Sequence, residues 1–249
     1  MSARRAASAA IAGIAAALIA LAAPAQAAAL RPYVRAGWTA GPLRMTDFNS
    51  ATQDGAPFYA VAGLTSSFAD VGVAAGPTAS AGLWLTRSVR AGATWSHQQT
   101  ARQHSMYAQG RVSFDDHLEF AITEIGGELA VRFERLAGLT LAATLASGRA
   151  RFERDFSGRD LAAPAELQLD VGARKTGLTY GLAVGLDQTN SRGLAGWVMA
   201  GVRIRDMGRM PLGGTSNDGT ATTAAWGKTP WMDYTTLFLA AGTGFDRHP

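Results

Sequence analysis

The sequence predicts an all-β protein, an antiparallel up-and-down transmembrane β-barrel of about eight strands. Three observations predict it. The chain opens on an export segment and has no later apolar run long enough for a membrane helix. Eight segments alternate apolar and polar residues with period two. The links between those segments alternate long and short.

The export segment comes first. Arg4 and Arg5 supply a positive start, Ala9 to Ala23 is almost wholly Ala, Ile and Leu, and Ala25-Gln26-Ala27 is a small-x-small cleavage site. That order predicts a secretory signal peptide over 1–27 and a barrel domain over 28–249. After it, no stretch holds the ~18 continuous apolar residues a transmembrane helix needs. A closed barrel is the other way to cross a membrane, because it pairs every backbone group internally.

Composition agrees. Gly is 29 of 249 residues, above the usual ~7%, and charged residues are 17%, below the usual ~25%. A net charge of +4, lowered further when Arg4 and Arg5 are removed, is too mild to argue for nucleic acid. There is no Cys, so disulfides contribute nothing to stability.

The eight segments follow in order. The first has Leu30, Pro32, Val34, Ala36 and Trp38 on one row. The second has Ala79, Ala81, Leu83 and Leu85, and the third Val89, Ala91, Ala93 and Trp95. The fourth has Ile125, Gly127, Leu129, Val131 and Phe133, and the fifth Leu139, Leu141, Ala143 and Leu145. The sixth has Leu178, Tyr180, Leu182, Val184 and Leu186. The seventh has Leu194, Val198, Val202 and Ile204, and the last, Tyr234 to Phe245, has Leu237, Leu239, Ala241, Thr243 and Phe245. Period-two patterning at this length is a strand signal.

Short links fall at Thr86–Ser88, Arg135–Gly138 and Gln188–Gly193. Long links fall at Gly41–Gly76, Gln98–His117, Asp155–Glu166 and Asp206–Pro230. Four long loops and three short turns, beginning with a long one, is the rhythm of an eight-stranded membrane barrel.

With these segments and links, the chain resembles the small Omp-type outer-membrane β-barrels over roughly Leu30 to Phe245. The resemblance implies the bacterial outer membrane as location, outer-membrane lipid as surroundings and a monomeric state. The last segment, with Leu237, Leu239, Gly242 and Phe245, resembles the strand read by the barrel-insertion machinery, although Asp246 to Pro249 follow its aromatic. Trp38, Trp95, Phe133, Tyr180, Phe245 and Trp231 are expected near strand ends, where amphipathic rings meet headgroups.

Arg31, Arg35, Arg90, Glu124, Glu128, Arg132, Glu134, Asp187, Arg203 and Arg205 fall on the rows opposite the apolar ones. Each Arg would cost about 2–4 kcal/mol facing lipid at mid-depth. They are therefore expected to line the lumen. An eight-stranded barrel is only wide enough for side chains to fill, so opposite charges there should pair.

Signs of chemistry are few. His97, His104 and His117 lie near Ser96, Ser105, Asp115 and Asp116, but in no hydrolase motif. No His or Glu spacing suits zinc, and no calcium loop accompanies Asp47, Asp115 or Asp116. The expectation is a non-enzymatic barrel without cofactor or metal, in a structural, passive or interaction role. Three alternatives stay open: a lipid-modifying membrane enzyme, a soluble exported barrel of lipocalin type, and a narrow channel. The first long loop carries Phe58, Tyr59, Val61, Leu64 and Phe68, which suit either an extra hairpin at the rim or a cap.

Overall fold

The computed structural model describes residues 31–42, 72–108, 112–160, 166–210, 213–216 and 234–246, with backbone alone for the outermost parts of several strands. The predicted signal peptide, the apolar cluster of the first long loop and Trp231 lie outside the described residues.

Eight strands form the wall: β1 (Arg31–Pro42), β2 (Val73–Trp84), β3 (Val89–Ala108), β4 (Val112–Phe133), β5 (Leu139–Asp160), β6 (Glu166–Thr189), β7 (Leu194–Asp206) and β9 (Tyr234–Asp246). A short β8 (Gly213–Ser216) is added outside it. Each wall strand pairs antiparallel with its neighbour in sequence. The wall closes between β1 and β9, where Tyr33 faces Asp246 and Ala40 faces Leu239. Facing partners can be followed once around, from Arg31 through Trp84, Arg90, Ala130, Ala142, Ala183 and Gly201 to Phe238. The path returns to β1 level with Gly41, a stagger of ten residues. With strands ~4.8 Å apart and a rise of ~3.3 Å per residue, that stagger tilts the strands by about 40°.

The three short turns share one end of the barrel with Arg31 and Asp246. Their chemistry is local. The Thr86 hydroxyl accepts from the Ser88 and Val89 amides at 3.2 and 3.0 Å. Asn190 Oδ1 accepts from the Arg192 and Leu194 amides at 2.9 and 3.0 Å, and Gly193 takes φ +81° to complete that turn. Between β4 and β5 a single 3-10 turn, Glu134–Leu136, leads into Ala137 and Gly138, both left-handed. The Asp246 amide donates to Gly193 O at 2.8 Å, which ties the last strand to the β6–β7 turn.

The other end departs from expectation. Gln98–His117 is not a loop. β3 and β4 pair without a break from Val89↔Val131 to Ala108↔Val112. Asp155–Glu166 is likewise mostly strand, paired out to Arg159↔Glu166. The ladder continues because backbone pairing does not require an apolar face, and in these stretches polar residues replace the apolar row. β6 thereby outruns β7, and β8, within the link Asp206–Pro230, pairs with the exposed edge Leu169–Gly172. The lengthening also leaves Trp95 and Tyr180 in strand interiors, and Trp38 lies four residues inside the end of β1. Phe133 and Phe245 stay at the short-turn rim.

The apolar rows face outward. Val34, Trp38, Ile125, Leu145, Leu237 and Leu239 are all exposed, Leu237 by 68%. The opposite rows are buried. Several of their Gly are there for space. A Cβ on Gly92 would collide with the Tyr33 hydroxyl, and one on Gly37 or Gly242 would meet Trp197 Cζ2 at 2.7 Å. Trp197 thus lies over the β1–β9 seam because two glycines face each other beneath it.

Candidate functional site

The lumen is the site. Because side chains alternate along a strand, every second residue of each wall strand enters it. Seven of the charged residues singled out in the sequence meet there in two clusters.

The lower cluster lies toward the short turns. Asp187 of β6 is fully buried and takes two arginines from across the lumen. Arg35 Nη2 of β1 is 2.5 Å and Arg90 Nη1 of β3 is 2.7 Å from its Oδ2. Arg35 Nη2 also donates to Asp246 Oδ2 at 2.9 Å, whose other oxygen accepts from Trp84 Nε1 at 2.5 Å. Arg90 Nε reaches Glu128 Oε1 on the adjacent strand at 3.3 Å. Aromatic faces complete the packing, with Tyr33 and Trp84 both within 5.6 Å of the Arg90 guanidinium carbon. Arginine suits this arrangement because its planar, weakly hydrated fork both pairs with carboxylates and stacks on rings.

The upper cluster centres on Glu124. Arg205 Nε donates to its Oε1 at 2.7 Å, and Arg203 Nη1 lies 3.2 Å from Oε2, which also accepts from the Ser96 hydroxyl at 3.1 Å. Gln98 Oε1 accepts from Arg205 Nη2 at 2.7 Å and Arg203 Nη1 at 3.2 Å. Arg203 stacks over Phe238 at 4.3 Å. Between the clusters is a cavity of about 70 Å³, flanked by Thr144, Trp197 and Met199. That is room for only a few water molecules.

Above the upper cluster the lumen becomes apolar. Phe120 faces Phe152 across β4 and β5, and both are fully buried with Ile122. Met207 and Met210, just past β7, are buried as well. The Met207 Cε would be 2.6 Å from a Cβ on Gly148, so that glycine makes the space it occupies.

The remaining candidates lie elsewhere. Arg31 and Arg132 are half-buried at the short-turn rim. Glu134 is not a lumen residue. The 3-10 turn leads the chain out of the wall after Phe133, which leaves Glu134 exposed. Leu237, Leu239 and Phe245 point outward from β9, whereas Gly242 is on the inner row beneath Trp197. Asp246 and Trp84 join the lower cluster unforeseen, and the burial of Phe120, Phe152 and Met207 was unforeseen too. Phe120 and Ile122 were within reach of sequence reasoning, being on the same alternate row as Glu124 and Glu128.

Ser96 and His97 are consecutive on β3 and face opposite sides. Ser96 binds Glu124 inside, while His97 Nδ1 lies 2.9 Å from Thr123 Oγ1 on the outer face. The register sets His104 opposite Asp116 and Ser105 opposite Asp115. Among the described residues no group of three His, Asp or Glu is placed to hold a metal ion.

Fold and site together define a class: a closed eight-stranded barrel, apolar outside and filled with paired charges inside. No family model and no curated protein matches the chain. Solved structures similar to it include Ail, the attachment invasion locus protein of Yersinia pestis, in complex with the heparin analogue sucrose octasulfate. It is 9% identical, covering 88% of this chain and 100% of that one, with a TM-score of 0.47. A major outer membrane protein from Thermus thermophilus is similar at 9% identity, 88% and 99% coverage and a TM-score of 0.46. Neisserial surface protein A is similar at 13% identity, 87% and 96% coverage and a TM-score of 0.32.

Proposed function

We propose that this chain is an outer-membrane β-barrel whose filled lumen does not conduct, and that it serves as a rigid scaffold presenting a strand-built platform to the outside. The observation that carries this reading is the span of charge across the lumen, from Arg35 and Arg90 on one side to Asp187 on the other. Separating such a pair leaves a buried charge uncompensated, at about 3–5 kcal/mol, so spontaneous opening is rare.

The membrane setting is supported by the exposed apolar rows. A soluble barrel of lipocalin type would need the reverse, with apolar rows inside and polar rows in water. The platform is supported by strand length. β3 to β6 run 20 to 24 residues, and a membrane crossing takes about 9–11. Their outer halves therefore project beyond the bilayer, with Arg149, Arg151 and Arg174 exposed on the outer face. The reading assigns no catalytic residue.

Planar-bilayer recording of the purified protein tests it, with wild type compared against Asp187→Ala. Wild type should give little or no steady current, and the variant should give frequent openings. A large, steady wild-type conductance unchanged by the substitution would contradict the filled lumen.

A further inference from the structure

The short-turn mouth of the barrel has features that the scaffold does not use. A cleft of about 800 Å³ lies there, between the start of β1, the end of β9 and the β6–β7 turn. Three arginines from separate parts of the chain line it: Arg31 at the start of β1, Arg132 near the end of β4 and Arg192 in the turn. The carboxylate on its wall, Asp246, is already engaged, since Arg35 takes one oxygen and Trp84 the other.

Arg132 carries the argument. Its Nε and Nη1 are withdrawn from solvent and have no hydrogen-bond partner among the described residues. The Thr189 hydroxyl, also on the cleft wall, is buried and has no partner among the described residues either. Guanidinium nitrogens shielded from water without an acceptor are costly, and an oxyanion meeting the exposed part of the same half-buried group offsets that cost. The planar fork of Arg matches two oxygens of a phosphate at once, a geometry a lone Lys does not offer. Phe245 borders the same cleft and is half-exposed on the outer wall, so the cleft opens beside the apolar belt.

We infer that this mouth is a binding site for a phosphate-class oxyanion, held by Arg132 and Arg192 with the Thr189 hydroxyl as a further ligand. Two sources share that chemistry. One is the headgroup of a phospholipid in the adjoining leaflet, its chains lying along the wall past Phe245. The other is a soluble phosphate. The inference rests on the outer-membrane reading only for which leaflet and compartment the mouth meets.

The test uses the full chain folded in phosphate-free maltoside micelles, with folding followed by heat-dependent gel mobility. In one arm inorganic phosphate is titrated and its 31P linewidth read. In the other, micelles are doped with phosphatidylglycerol, with uncharged diacylglycerol as control. Wild type should bind in at least one arm, and Arg132→Gln and Arg192→Gln should each weaken binding roughly tenfold or more, the loss of one charge-assisted contact. Binding of the lipid alone assigns the headgroup as source, and binding of inorganic phosphate assigns a soluble one. If Arg132→Gln does not fold, Arg192→Gln, in an exposed turn, decides. Absence of binding in both arms, or binding unchanged by the substitutions, would overturn the inference. The inorganic-phosphate arm needs no bilayer, so failure here is distinct from failure of the outer-membrane reading.

Discussion

Arg90 and Asp187 are 97 residues apart in sequence, and Arg90 Nη1 meets Asp187 Oδ2 at 2.7 Å across the barrel interior. β3 and β6 are not neighbours in the wall. The contact therefore braces the barrel across its lumen rather than along its surface. Asp187 also holds Arg35, so one carboxylate links β1, β3 and β6.

Replacing Asp187 by Ala should accordingly leave two buried arginines short of a partner. The expected loss is about 3–5 kcal/mol of unfolding free energy. Urea titration of the micelle-folded protein, read by gel mobility and tryptophan emission, measures it. A combined Asp187→Ala, Arg90→Met variant should recover part of the loss, because the uncompensated charge goes with the arginine. Equal losses in the single and double variants would argue against a direct coupling.

The seam between β1 and β9 makes a second prediction. Gly242→Ala should destabilise by about 1–3 kcal/mol, since the added methyl meets both Trp197 and the Ala36 carbonyl oxygen. Gly196→Ala, one strand away and facing open space, should be neutral or mildly stabilising. Thermal shifts of the two variants, measured side by side, separate a packing requirement from a general need for glycine in strands. Comparable shifts for both would remove the account of Trp197.

The long hairpins give a third. If β5 and β6 pair out to Arg159 and Glu166, amides in 150–158 should exchange slowly with deuterium although they lie beyond the apolar belt. Exchange read by mass spectrometry, peptide by peptide, tests this. Fast exchange throughout that stretch would restore the loop reading of Asp155–Glu166.

How far the sequence anticipated this structure depended on which residues wrote the pattern. Inside the belt, Leu139, Leu141, Ala143 and Leu145 alternate against Thr140 and Thr144, and the strand cores were legible. Outside it, Arg149, Arg151 and Glu153 take over the outer row of the same strand while apolar Ala150 and Phe152 sit on the inner one, so the pattern of apolar residues facing outward stopped although the pairing did not. In the lumen, period-two parity was enough to put Arg35, Arg90, Glu124, Glu128 and Asp187 on inner rows. It gave no partners, because which carboxylate meets which arginine depends on the ten-residue stagger of the wall. Glu134 was misplaced because parity was carried through a turn that parity does not reach. Met207 and Met210 lie past the end of β7, where no strand pattern marks their burial.

The central claim is the assignment of inside and outside, and it is most directly tested by site-directed spin labelling. The chain has no Cys, so single cysteines introduced at Leu237, Phe238, Leu239, Ala240 and Ala241 carry the only label. In reconstituted bilayers, collision with lipid-soluble oxygen should be high at 237, 239 and 241 and low at 238 and 240. A water-soluble nickel chelate should reach none of the three outward sites. The opposite alternation, or free access of the chelate to 237 and 239, would contradict a membrane barrel with its charges inside.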